Sequence, residues 1–128
     1  MTTPPTILIV DDEPDVRALL TTRLRAQPYR VLEAADGPSA VTLAAQARPD
    51  LILLDIMMPG MDGIATYQAL RREPATAAIP IIFLTALAER VATTQRPLPP
   101  GTYTVLSKLC EPRELLEAIC RALAPETR

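Results

Sequence analysis

Apolar runs that alternate with amphipathic stretches predict an α/β protein, built on one doubly wound, five-stranded parallel sheet with helices on both faces. Three observations carry this. The runs Ile7-Leu8-Ile9-Val10 and Leu51-Ile52-Leu53-Leu54, and the stretch 79–84, are almost continuously apolar, as strands buried on both faces require. Pro14, Pro38 and Pro112 stand where helices would begin, and Pro28, Pro49, Pro74 and Pro125 where they would have ended. Proline is tolerated in a first turn and excluded from a helix interior. The chain has 128 residues, 48% hydrophobic and 22% charged, which suits a single globular domain over 1–128 with one core.

The elements follow in order. A strand over 6–10 leads into a helix over 14–26, with Val16, Leu19, Leu20, Arg23 and Leu24 on one face. A strand over 29–34 precedes a helix over 38–47 that buries Val41, Ala44 and Ala45. A third strand, 51–54, is followed by a helix over 62–73 using Ile64, Tyr67 and Leu70, with Asp62-Gly63 as its start. The fourth strand spans 79–84 and the fifth 103–106. A final helix over 112–123 packs through Leu115, Leu116, Ile119 and Cys120. The fourth helix is short, about 88–95, because Arg96-Pro97-Leu98-Pro99-Pro100-Gly101 cannot be helical and returns the chain to the sheet in extended form.

Composition narrows the chemistry. A net charge of −2 without a basic stripe argues against direct nucleic-acid binding by this domain. No apolar run has the length of a membrane span, and Met1-Thr2-Thr3-Pro4-Pro5 is no signal peptide, so a cytoplasmic location is expected. Cys110 and Cys120 lack metal spacing and read as reduced thiols. There is no histidine, which removes His-based acid–base chemistry and the commonest transition-metal ligand. Lys108 is the one lysine beside twelve arginines, and a compact ammonium is not interchangeable with a guanidinium at a point-charge site.

Four strand ends carry polar groups: Asp11 and Asp12, Asp55, Thr85, and Lys108. In parallel sheets ligands bind at the carboxyl ends of strands. Two carboxylates about 4 Å apart repel by about 4 kcal/mol at an effective dielectric near 20. A cluster that stays ionised there calls for a divalent cation. Each residue alone has a simpler reading: Asp11 or Asp12 as a helix cap, Asp55 as a turn residue, Thr85 as a loop hydroxyl, Lys108 as a surface charge. Four such accidents on one rim are far less economical than one site. Glu13 reads as an exposed neighbour, at most a modulator.

The segments Ile9-Val10-Asp11-Asp12-Glu13-Pro14, Leu54-Asp55-Ile56-Met57-Met58-Pro59-Gly60-Met61-Asp62-Gly63 and Phe83-Leu84-Thr85-Ala86, with Lys108, resemble the receiver domain of bacterial two-component response regulators over about 6–124. The resemblance implies a flavodoxin-like sheet of order 2-1-3-4-5. It implies that Asp55 accepts a phosphoryl group from a histidine kinase or histidine phosphotransfer protein. It implies Mg²⁺ held by Asp12, Asp55 and the Met57 carbonyl, with Asp11 acting mostly through water. Lys108 and Thr85 would hold the phosphoryl oxygens, helped by the backbone N–H groups of Met57 and Ala86. Such a domain is a switch of protein–protein contacts in a phosphorelay, not an enzyme beyond its own phosphorylation and slow dephosphorylation. Its output partner is unspecified, and a homodimer is compatible with the family.

The chain departs from the family pattern in three places. Leu109 follows the lysine where proline and a cis bond are usual; a cis bond to a non-proline residue costs about 2.5–4 kcal/mol, so a trans or strained bond is expected. Val105 replaces the aromatic switch residue, with Tyr103 two residues earlier as a substitute on the same strand face. The proline-rich stretch remodels the usual partner face. These departures keep open an interaction module with phosphorylation-independent or atypical output. Met57 and Leu87 flank the path of a hydrolytic water and predict slow self-dephosphorylation. An aspartate-nucleophile phosphatase using Asp11 is disfavoured, because Glu13 stands where a second aspartate belongs and no cap domain fits in 128 residues.

Overall fold

Residues that alternate between two buried faces build the sheet. The structure, a computed structural model, describes residues 3–86 and 103–124. The strands are β1 (Thr6–Val10), β2 (Arg30–Ala34), β3 (Leu51–Asp55), β4 (Ile81–Thr85) and β5 (Thr104–Ser107). They pair in parallel in the order β2-β1-β3-β4-β5. The helices are α1 (Pro14–Arg25), α2 (Gly37–Ala47), α3 (Gly63–Arg72) and α4 (Pro112–Leu123). The predicted fold class and strand order are what is found. The short helix expected over 88–95, the segment 96–101 and Leu87 lie outside the described residues.

Alternation along each strand divides the core in two. Leu8, Val10, Ile52, Leu54 and Phe83 face α2 and α3, where Ala40, Ala44, Ile64, Tyr67 and Leu70 meet them. Ile7, Ile9, Leu51, Leu53, Ile82 and Leu84 face α1 and α4, against Leu20, Leu24, Leu115 and Ile119. Each strand of the central three is buried along nearly its whole length, which explains the continuous apolar runs.

Several details differ from the sequence reading. In α1 the inward set is Leu20, Thr21 and Leu24, while Leu19 is half exposed. Thr21 turns in because its hydroxyl donates to Glu33 Oε2 at 2.8 Å. In α2 Ala40 and Ala44 are buried and Val41 and Ala45 only partly so. In α4 Cys120 is exposed and Leu116 half-buried, leaving Leu115 and Ile119 as the anchors. β4 begins at Ile81 and not at residue 79, because Pro80 has no N–H to give the ladder. Ile79 is still buried, held by its N–H to the Thr76 carbonyl at 3.1 Å. Both cysteines are free thiols. Among the described residues no helix is long and apolar enough to cross a membrane.

Candidate phosphoryl and metal site

Strand register assembles the site. Val10 pairs with Leu54, so Asp11 and Asp55, each one residue further on, emerge side by side. Thr85 pairs with Ser107, which brings Lys108 to the same rim just beyond the end of β4. The Lys108 N–H donates to the Thr85 carbonyl at 2.6 Å, tying the turn after β5 to that rim.

Asp11 is 1% exposed and Asp55 2% exposed. Asp11 Oδ1 accepts the Glu13 N–H at 2.9 Å, and Asp55 Oδ1 accepts the Met57 N–H at 3.2 Å. Lys108 Nζ lies 2.8 Å from Asp11 Oδ2, 3.2 Å from Asp55 Oδ2 and 3.4 Å from Glu13 Oε1. The two aspartate contacts are close but unaligned, so both Oδ2 atoms are buried without a hydrogen bond. Asp12, half-buried, completes a group in which one carboxylate oxygen from each of Asp11, Asp12 and Asp55 lies within 4.8 Å of the others.

The electrostatics follow from this crowding. Burial, and then the charge of Asp11, push the Asp55 carboxyl from its ordinary 3.8 to about 7, against the pull of Lys108 and the Met57 N–H. Burial alone would lower the Lys108 ammonium, but Asp11 and Asp55 beside it hold it above the ordinary lysine range. The donor set is all oxygen, with two buried oxygens lacking an aligned donor. That fits a hard divalent ion such as Mg²⁺.

The other named residues take their places on this rim. Thr85 is buried at the end of β4, and Ala86 follows it exposed. Met57 stands half exposed directly after the Asp55 turn. The peptide bonds of the described residues are all trans, Lys108–Leu109 included, and the ammonium nevertheless reaches Asp55. The Leu109 N–H donates to Ser107 Oγ at 3.0 Å, so a serine turn shapes the backbone where the family has proline. Asp62 caps α3 as the sequence suggests, accepting the Ala65 N–H at 2.8 Å. Neither Asp11 nor Asp12 caps α1; Glu13 holds that position. Gly63 packs against the phosphoacceptor candidate itself. A Cβ there would overlap the Asp55 carbonyl oxygen and come within 2.7 Å of Ile56 Cα.

Two features escaped sequence reasoning. Glu13 reaches Lys108 across 95 positions of chain, and no local signal points to such a contact. Tyr103 is engaged by two other rings, at 5.3 Å from Tyr67 and 5.0 Å from Phe83 between centroids, both edge-on. Val105 sits on the same side of the sheet, paired in register with Phe83.

Comparison with known proteins agrees with this geometry. The family model for the response regulator receiver domain matches residues 7–120. The response regulator PleD of Caulobacter vibrioides is 51% identical over 85 residues, covering 66% of this chain and 18% of PleD. The probable transcriptional regulator ycf27 of Cyanophora paradoxa is 44% identical over 121 residues, covering 94% of this chain and 48% of that protein. The chain thus spans less than half the length of either relative. Among solved structures, the receiver domain of the sensor histidine kinase PA1611 from Pseudomonas aeruginosa, with a magnesium ion coordinated in its active-site cleft, superposes with a TM-score of 0.83 at 32% identity, covering 94% of this chain and 98% of that one. The chemotaxis protein CheY4 of Vibrio cholerae gives a TM-score of 0.80 at 29% identity, covering 94% of this chain and 99% of that one.

Proposed function

The chain belongs to the response regulator receiver domain family, and from that premise we propose that it is a single phosphorelay receiver domain whose Asp55 carboxylate accepts a phosphoryl group. The donor is a phosphohistidine on a histidine kinase or phosphotransfer protein. An Asp55 oxygen attacks phosphorus, an O–P bond forms as the N–P bond breaks, and the imidazole leaves to pick up a proton. Asp12, Asp55 and the Met57 carbonyl, with Asp11 through water, would hold Mg²⁺, which when bound offsets the charge of the incoming phosphoryl. Lys108 and the Thr85 hydroxyl orient the phosphoryl oxygens, and the N–H groups of Met57 and Ala86 donate to them. The observation that carries this reading is a buried carboxylate crowded by two others and faced by the ammonium of the chain's one lysine at 3.2 Å.

The phosphorylated domain acts in the cytoplasm by changing which proteins it contacts, a second copy of itself among them, and turns over no other substrate. Intact-mass measurement after treatment with Mg²⁺ and acetyl phosphate tests the chemistry. One phosphoryl adduct is expected on the wild type and none on Asp55→Ala. An unmodified wild type, or an adduct that survives in the variant, refutes it.

A second reading concerns output alone. Val105 has no ring to turn, and the Tyr103 ring is already packed between Tyr67 and Phe83. This supports an atypical readout, or an interaction module whose contacts do not follow phosphorylation. Amide shifts on adding beryllofluoride distinguish them: an ordinary response across 88–107 removes this second reading.

A further inference from the structure

Glu13 has a contact that the phosphoryl chemistry leaves without a role. It occupies the N-cap of α1, where an acidic side chain ordinarily accepts helix N–H groups, yet it makes no such bond. Instead it accepts from Lys108 Nζ at 3.4 Å. The same ammonium sits on Asp11 Oδ2 and Asp55 Oδ2 at 2.8 and 3.2 Å without alignment to either. Lys108 therefore supplies the positive charge beside the carboxylate cluster that a divalent ion would enter. A dication entering there repels the ammonium, and the ammonium must leave those oxygens for another acceptor. Glu13 is that acceptor by position: its side chain is 62% exposed, at the rim, and already within reach of the lysine.

We propose that Glu13 is a positioning residue that receives Lys108 when a divalent cation enters the Asp11–Asp12–Asp55 cluster, and so strengthens metal binding by easing the displacement of the lysine. The inference rests on the reading of the Asp11–Asp12–Asp55 cluster as a Mg²⁺ site. It differs from a plain effect of one more negative charge near the metal. A charge effect would operate with or without the lysine, and aspartate would serve as well as glutamate. A relay through Lys108 needs both the lysine and the reach of the longer side chain.

Calorimetric titration of Mg²⁺ into the whole chain separates these, in about 0.3 M salt, where screening over about 6 Å suppresses the direct field of Glu13. Glu13→Gln is expected to weaken Mg²⁺ binding by roughly threefold to fivefold, the scale of an exposed ion pair. Glu13→Asp, which keeps the charge but is one methylene shorter, is expected to weaken it similarly. In a Lys108→Met background the Glu13→Gln change should fall below about twofold, because the coupled partner is gone. Equal losses in both backgrounds, full affinity in Glu13→Asp, or no loss in Glu13→Gln would each overturn the role of Glu13 while leaving the metal site standing. A wild type that takes up no Mg²⁺ would overturn the site itself, and Glu13 with it.

Discussion

Replacing Asp55 by asparagine should make the metal-free protein more stable, and the size of the gain can be worked from the pocket. Asp55 is 2% exposed, one of its oxygens lacks an aligned hydrogen bond, and its carboxyl is raised from 3.8 to about 7. A tenfold change in proton affinity is about 1.4 kcal/mol, so holding this group ionised above pH 7 costs the fold about 4 kcal/mol relative to its neutral form. Asparagine has nearly the same shape and no charge. The pull of Lys108, which keeps Asp11 and Glu13, is already contained in that figure; what lessens the gain is the cost of burying the polar amide. The expected net gain at pH 8 is therefore about 2–4 kcal/mol, or roughly 8–15 °C in Tm for a chain of this size. The sign with pH follows from linkage. Because the folded pKa lies above the unfolded one, the wild type is favoured by Asp55 below about pH 4 and loses that contribution as pH rises through 7. The variant lacks this loss, so its advantage should shrink to within about 1 kcal/mol at pH 5. Urea unfolding with a chelator at pH 5 and pH 8, followed by circular dichroism, measures both numbers. Added Mg²⁺ should close the gap at pH 8 by stabilising the wild type through mass action, by about 2.7 kcal/mol at a hundredfold excess over Kd. An asparagine variant no more stable than wild type at pH 8, or an advantage of the same size at both pH values, would refute the account of a strained, charge-crowded carboxylate.

Three further outcomes are expected. Met57→Asn should hasten loss of the phosphoryl group severalfold in a phosphate-release assay, because the half-exposed thioether beside Asp55 cannot bind a water that an amide can orient; an unchanged rate removes the idea that this side chain limits hydrolysis. Gly63→Ala should cost about 3 kcal/mol in urea unfolding, since its Cβ would overlap backbone atoms of Asp55 and Ile56 that cannot step aside; phosphorylation by acetyl phosphate should fall with it. Tyr103→Leu should cost about 1–2 kcal/mol and remove much of the near-ultraviolet dichroism, because its ring makes edge contacts with both Tyr67 and Phe83; full stability would mean the three-ring cluster is incidental.

The sheet was legible because a strand buried on both faces has to be apolar at every position, and the helix starts were legible because proline tolerates little else. What sequence periodicity misjudged were residues whose burial depends on a partner in another element. Thr21 turns inward only because Glu33 is there to accept its hydroxyl, and nothing near Thr21 in the chain announces that. Cys120 has the spacing of an inward residue but lies at the edge of the apolar face of α4. The start of β4 was misread because Ile79 is apolar and buried without being a strand residue; Pro80 after it was the signal. The gathering of Asp11, Asp12, Asp55 and Lys108 could be read from strand ends, since parallel strands deliver their carboxyl ends to one rim. The pairing of Lys108 with Glu13 could not, because it depends on side-chain reach between loops 95 positions apart.

The absence of a side chain at Gly63 has a mechanical meaning. Backbone meets backbone there, so nothing soft lies between the Asp55 peptide and the first turn of α3. A shift of that peptide is passed on as a push along a stiff rod, with no rotamer to soak it up. One turn further, the rod carries Tyr67, whose ring leans on Phe83 and Tyr103. The Asp55 peptide and the three-ring cluster at the sheet's edge are thus joined by direct packing through α3, a continuity in which Val105 has no part.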